Sequence, residues 1–286
     1  MKFFRKLIIP TMFIAGFIIF FYPIVSNWLS TKDHYTVINK HNEALANMSE
    51  DEIEEERKKA EEYNETVQET LIPITDPFSD ENEDSDEEVI TGYFDVLDIG
   101  EAIGYLEIPT INAELPIYHG VSDEVLQRGI GHMSNSSFPI GGLGTHSALT
   151  GHRGLPSSKL FRHLDKVKEG DHFFIHTLGE TLAYEVNDIK VVLPHETNWL
   201  EIDPHNDYVT LITCEPYMIN THRLLVRGER VPYVEETLAD SSPDLNNKLQ
   251  NNQKWVLISS VLGILVLTLY YLWQKRLRER GKNAEK

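Results

Sequence analysis

The chain has 286 residues, with 26 basic and 45 acidic side chains and a single cysteine. One cysteine excludes an intrachain disulfide framework and any CxxC-type zinc or redox site. A formal net charge of −19 repels phosphates, so the composition argues against a nucleic-acid partner. The length allows one or two domains with a sizeable core.

Two uncharged apolar stretches, residues 7–25 and 255–273, are each long enough to cross a membrane as helices. Basic residues lie in the segment before the first (1–6) and in the tail after the second (274–286). The positive-inside rule therefore predicts that both termini are cytoplasmic, and that the intervening chain is extracellular and anchored in membrane lipid. A cleaved signal peptide is the alternative for the first stretch, but it is long for one and no small-x-small cleavage site follows.

The extracellular portion changes character along its length. Residues 26–70 contain no glycine or proline and many good helix formers, which predicts a helical region. Residues 71–99 are predicted to be a linker. It starts with an extended, proline-containing connector, and its nearly all-acidic run at 80–88 is expected to be mobile. A second linker is expected at residues 236–254.

Residues 100–235 have the composition of a compact, mostly β domain. Short apolar or alternating stretches recur between Gly, Pro, Asn and Asp residues, which favours a closed barrel or sandwich over alternating β–α units. A short helix is expected at Asp123–Arg128, ended by Gly129. No glycine-rich phosphate-binding motif occurs and the histidines lack clear ligand spacing, so neither a cofactor nor a metal is indicated. The predicted strands are 103–108, 115–119, 146–150, 172–177, 182–187, 189–193, 208–214 and 224–227.

The lone cysteine, Cys214, ends a predicted strand, and Arg223 begins the next one after a short loop. If these strands are antiparallel neighbours, the thiol and the guanidinium lie close together. Nearby positive charge lowers the pKa of a thiol, and a guanidinium can hydrogen-bond the oxyanion of a tetrahedral intermediate. The alternative interpretation is a buried structural cysteine.

Acyl transfer by a thiol also needs a group that protonates the leaving amine, for which histidine is suited. His152 follows a predicted strand in the glycine-flanked turn TGHRGLP, and such glycines let the backbone approach a substrate closely. The pattern alone does not separate His152 from His146 or His132.

Four segments, LEIPTINAELPIYHG, LTGHRGLPSSKLF, TLITC and NTHRLLVRGER, resemble those of class C sortases, the pilus-assembling group, over about residues 100–230. The resemblance implies an eight-stranded β-barrel whose cysteine cleaves an LPxTG-like sorting signal of a pilin subunit between Thr and Gly. A thioester forms on the cysteine, and the acyl group then passes from sulfur to a lysine of another pilin. By position, the resemblance implies that Cys214 is the nucleophile, His152 the general acid/base and Arg223 the oxyanion or substrate-positioning residue.

Three other functions stay open beside pilus assembly. The acceptor could be a peptidoglycan amine, so that the enzyme anchors surface proteins to the cell wall. Water could resolve the thioester, which would make the protein a peptidase. The protein could also be a non-catalytic scaffold that binds pilins through its acidic surface.

Class C sortases also carry a lid in which an Asp-Pro-aromatic motif covers the active site, and Asp76, Pro77 and Phe78 match it. The resemblance implies that the carboxylate pairs with Arg223 and that the ring lies over Cys214. Taken alone, the Asp-Pro pair would indicate only a turn.

Two residues after the cysteine depart from the family pattern. Glu215 places a carboxylate beside the thiol, which opposes thiolate formation unless the carboxylate points away. Met218 stands where family members often have a glycine that relaxes the loop.

Overall fold

The structure is a computed structural model that describes residues 2–70, 76–78, 90–196 and 198–234, with the single residues 263, 268, 270 and 276. The predicted second linker, the second span and the basic tail lie outside the described residues, apart from those four. The acidic run also lies outside them. The chain forms two compact units, and Ser30–Ser242 is the unit that contains the β domain.

The N-terminal region forms two helices, α1 (Lys2–Asn47) and α2 (Glu50–Thr70). The predicted first span and the start of the predicted helical region lie in one continuous helix, because no glycine or proline occurs between residues 24 and 48. Its stretch Ile14–Asn47 is long and apolar enough to cross a membrane by length and composition.

A capping box separates the two helices. The backbone N–H of Ser49 donates to Oε2 of Glu52 (2.8 Å), and the backbone N–H of Glu52 donates to Oγ of Ser49 (3.3 Å). The two side chains thereby satisfy backbone donors that the first turn of α2 leaves unpaired.

Helix α2 packs on the barrel through one stripe. Its buried residues are Ala60, Tyr63, Asn64 and Val67, at the i, i+3, i+4, i+7 spacing of a helix face. The Asn64 amide is buried and exchanges two hydrogen bonds with the backbone of Phe138 (3.2 and 2.7 Å). This pairing fixes α2 against the barrel without an unsatisfied polar group.

The β domain is a closed eight-stranded barrel in the order β1-β2-β3-β4-β7-β8-β6-β5. The pairs β2–β3 and β4–β7 are parallel, and the other pairs are antiparallel. The predicted helix α3 (Asp123–Arg128) is confirmed, with Ser122 as its N-cap. The strands are β1 (Gly104–Ile108), β2 (Ala113–His119), β3 (Ile130–His132), β4 (Thr145–Thr150), β5 (His172–Thr177), β6 (Glu180–Val192), β7 (Asp207–Glu215) and β8 (His222–Val231).

The predicted number of eight strands is confirmed, but one strand was missed and another was predicted as two. Strand β3 has only three residues and was not predicted, because three residues are too few to display alternation. The predicted strands 182–187 and 189–193 are one strand, β6. Its register shifts between Val186 and Asp188, and this irregularity breaks the alternation that a single strand would show.

The side chains on the two faces of β7 belong to different hydrophobic clusters. Val209 and Leu211 belong to the main hydrophobic core, whereas Ile212 belongs to a second, smaller cluster. Because side chains alternate along a strand, Cys214 shares the face of Ile212. We call the second cluster the outer cluster; its buried members are Met133, Ala148, Leu200, Ile212 and Leu225.

Candidate active site

Cys214 lies on the middle one of three neighbouring strands. On one side it is directly opposite Arg223 in the antiparallel register of β7 and β8. On the other side the parallel register of β4 and β7 ends with Thr150 opposite Ile212. His152 lies two residues beyond Thr150, and Cys214 lies two residues beyond Ile212. The two residues are therefore at the same height along the strand direction. The structure therefore brings together the three residues that the sequence singled out.

The turn that carries His152 is tied to β7 through Gly151. The backbone N–H of Gly151 donates to the Ile212 carbonyl (3.0 Å), and Oγ1 of Thr213 donates to the Gly151 carbonyl (2.6 Å). A Cβ at Gly151 would lie 2.6 Å from Cδ1 of Ile130. The glycine thus permits close core packing, whereas the sequence suggested only a close approach to a substrate.

The two alternative histidines occupy other environments. His132 is fully buried, and its Nε2 donates to the Ser137 carbonyl (2.9 Å). His146 is opposite Tyr208, six residues before Cys214 along the register, which corresponds to about 20 Å of strand. Of the three histidines, His152 is the one that the strand register places level with Cys214.

The Asp76 carboxylate forms a bidentate ion pair with Arg223. Nε of Arg223 donates to Oδ1 (2.7 Å) and Nη2 donates to Oδ2 (2.6 Å). The two side chains are only 7% and 10% exposed. The remaining nitrogen, Nη1, donates to the carbonyls of Asn220 and His222. In this arrangement Asp76 occupies the donors that Arg223 would direct at a substrate oxygen.

Phe78 lies between two of the three site residues. Its ring centroid is 5.6 Å from that of His152 and 5.1 Å from Cζ of Arg223. The ring also packs against the outer cluster, and Pro77 is buried. Cys214 itself is 6% exposed. We refer to residues 76–78 as the lid segment.

Burial and local charge set the protonation of the site. Burial raises the pKa of Cys214 to about 11; the Asp76 charge also raises it, whereas Arg223 and Arg153 lower it. Burial lowers the pKa of His152, and Asp123 partly opposes this. With the lid segment in place, the thiol and the imidazole are therefore both neutral near neutral pH.

Of the two departures from the family pattern, the one at Glu215 has a structural explanation. The Glu215 carboxylate forms an ion pair with Nη1 of Arg153, so its charge is compensated beside the thiol. Met218 has a φ of +66°, in the left-handed region that favours glycine, and its side chain is 65% exposed.

Residues 106–231 match the Sortase domain family. The chain is similar to sortase D of Bacillus subtilis, with 33% identity over 135 residues, or 46% of this chain and 65% of that relative. It thus spans just under two thirds of that relative's length.

Two solved structures resemble a larger part of the chain. One is Sortase C1 of GBS Pilus Island 1, from Streptococcus agalactiae, with 44% identity, a TM-score of 0.64, and coverage of 71% of this chain and 94% of that chain. The other is Streptococcus pneumoniae sortase C, with 42% identity, a TM-score of 0.62, and coverage of 73% and 100%.

The closed barrel, the adjacent Cys, His and Arg, and these similarities agree, and the chain belongs to the sortase family. Within that family its structural neighbours are class C pilus sortases.

Proposed function

We propose that the protein is a membrane-anchored cysteine transpeptidase that assembles pili. Its substrate is an LPxTG-like sorting signal on a pilin subunit, and its acceptor is a lysine of another pilin. The observation that carries the proposal is the placement of Cys214 between Arg223, its partner on β8, and the turn after β4 that carries His152. The barrel lies outside the cell and both termini lie in the cytoplasm, following the distribution of basic residues.

In the first half of the reaction, the Cys214 thiol loses its proton to His152. Its sulfur then attacks the threonine carbonyl carbon, and Arg223 hydrogen-bonds the oxyanion that develops. The C–N bond to glycine breaks as the protonated His152 donates a proton to the leaving amine. The products are a thioester on Cys214 and a free glycine amine.

In the second half, the neutral amine of the acceptor lysine attacks the thioester carbonyl. His152 takes the proton of the attacking amine, the C–S bond breaks, and the electron pair returns to sulfur. An isopeptide bond forms, and His152 returns the proton to Cys214. Arg223 serves the oxyanion in both halves, because both tetrahedral intermediates form at the same carbon.

The lid segment closes this site until it moves. Asp76 must leave Arg223 before that guanidinium can serve a substrate oxygen. Phe78 must leave the outer cluster, whose apolar surface then accommodates the apolar residues of the sorting signal. Removal of the Asp76 charge also lowers the pKa of the Cys214 thiol.

Intact mass spectrometry tests this function. The full chain in detergent, carrying Asp76→Ala, is incubated with an LPxTG-type peptide, and a lysine-bearing pilin fragment is then added. The proposal expects a thioester adduct on Cys214 whose acyl group is transferred to the lysine, which regenerates the free thiol. An adduct that moves only to a peptidoglycan amine would favour cell-wall anchoring, and one lost only to water would favour a peptidase. A reactive thiol that forms no adduct while the protein still binds pilin would favour a scaffold.

A further inference from the structure

The residues directly after two of the proposed catalytic residues bind each other. Arg153 follows His152, Glu215 follows Cys214, and the two form an ion pair through Nη1 and Oε2. The Arg153 side chain is 6% exposed, and its Nη2 contacts Oδ2 of Asp165 at 3.1 Å. A buried, doubly paired arginine is thus present where β4 has ended and the backbone ladder to β7 no longer holds the two segments together.

The ion pair extends the attachment of the His152 turn to β7. Gly151 is held by backbone and side-chain hydrogen bonds at the level of residues 212 and 213. The next connection along the strand is the Arg153–Glu215 pair. His152 is therefore held on both sides in sequence, by Gly151 before it and by Arg153 after it.

The aromatic contact of the His152 ring comes from the lid segment and not from the barrel. Among the residues that the structure describes, the ring packs against Phe78, and the charged group that acts on it is Asp123, without a hydrogen bond. When Phe78 leaves with the lid segment, the placement of the imidazole follows from the backbone of its turn.

We propose that the Arg153–Glu215 ion pair is a positioning device for acyl transfer, which holds the His152 turn against the strand end that carries Cys214. The inference rests on the proposed function. It also gives a role to Glu215, the residue whose charge the sequence predicts to oppose catalysis. Each partner has a second, opposite effect on the thiol: Arg153 is a cation near Cys214, and Glu215 is the anion that compensates it.

The test compares variants of the full chain in detergent, all carrying Asp76→Ala. Arg153→Met and Glu215→Ala each break the pair, whereas Glu215→Gln keeps an acceptor for Arg153. The control is Arg57→Met, which removes another arginine–glutamate pair, between Arg57 of α2 and Glu180 of β6 (2.9 Å). The measurements are kcat and KM for thioester formation, the pH profile of Cys214 alkylation, and Tm.

The proposal expects both breaking variants to lower kcat about tenfold or more, with little change in KM, since small misplacements of a reacting group cost rates of this order. Glu215→Gln keeps most of the rate. The alkylation profiles shift in opposite directions: to higher pH in Arg153→Met, which loses a nearby cation, and to lower pH in Glu215→Ala, which removes an anion beside the thiol and leaves Arg153 paired with Asp165 alone.

Rates equal to those of the Arg57→Met control, or losses that follow Tm without opposite pH shifts, would overturn the proposal. Failure of the proposed function is distinguishable. If the parent chain forms no thioester, transpeptidation fails, whereas alkylation needs no substrate. In that case alkylation profiles that do not separate still overturn the role of the pair.

Discussion

The ion pair between Asp76 and Arg223 gives the sharpest prediction about the lid segment. Asp76→Ala removes two charge-assisted hydrogen bonds of 2.7 and 2.6 Å between side chains that are 7% and 10% exposed. In the closed arrangement the variant leaves Arg223 buried beside an alanine, which costs about 3 kcal/mol. In the open arrangement Arg223 is solvated and the cost disappears. The open population should therefore rise roughly 100-fold, since each ~1.4 kcal/mol is a factor of ten.

The assay is the rate of Cys214 modification by a small thiol-specific reagent near neutral pH. If the lid segment opens and closes faster than the reagent reacts, the rate follows the open population and should rise by up to about 100-fold. Phe78→Ala removes a ring that packs on the outer cluster, worth about 2 kcal/mol, and should give a smaller rise. Because Asp76 raises the pKa of Cys214, its removal should also shift the pH profile of modification to lower pH.

A matched control removes a carboxylate from another arginine of β8. Asp188 lies 3.6 Å from Arg227 and 2.5 Å from Lys190, and it is not in the lid segment. Asp188→Ala should leave the modification rate unchanged. If Asp76→Ala reacts no faster than Asp188→Ala, the lid segment does not limit access to the thiol and the reasoning fails.

Three further predictions concern the site and the barrel. His152→Ala should reduce thioester formation about 100- to 10,000-fold while alkylation of the thiol persists, so an unreduced rate would remove His152 from the mechanism. Gly151→Ala places a Cβ 2.8 Å from Phe161 and should cost about 1–3 kcal/mol, seen as a lower Tm; an unchanged Tm would contradict the packing argument. Burial lowers the pKa of His132 to about 3 and that of His146 to about 4. At acidic pH the unfolded chain therefore binds protons on these histidines that the folded chain does not bind. Tm should fall as the pH is lowered from about 7.5 to about 5.

The sequence predicted the pairing of Cys214 with Arg223, but it missed β3 and divided β6 into two strands. A strand, a short loop and an arginine were enough to place Arg223 beside Cys214, because a hairpin brings its ends together. The position of His152 relative to Cys214 depends on the parallel pairing of β4 with β7. This pairing joins segments about 60 residues apart in the chain. Local patterns do not specify such a pairing, so His132 and His146 stayed open until the register was known.

The sequence contains a local signal for the start of α2 but none for the Arg153–Glu215 pair. Ser49 and Glu52 have the spacing of a capping box, which marks the start of α2 inside the predicted helical region. The charge of Glu215 could be judged only with its partner, because Arg153 comes from a different strand end. A pair of this kind depends on three-dimensional proximity, which the sequence does not show.

The most direct test of the account follows the acyl group by intact mass spectrometry. The Asp76→Ala chain is given an LPxTG-type peptide, then a pilin fragment with its lysine, in parallel with a Cys214→Ala version that has no thiol. The account predicts a thioester adduct on Cys214 that disappears as an isopeptide-linked product forms, and no adduct without the thiol. An inert Cys214 in the opened chain, or product formed equally well by Cys214→Ala, would contradict the central claim that Cys214, His152 and Arg223 form an acyl-transfer site.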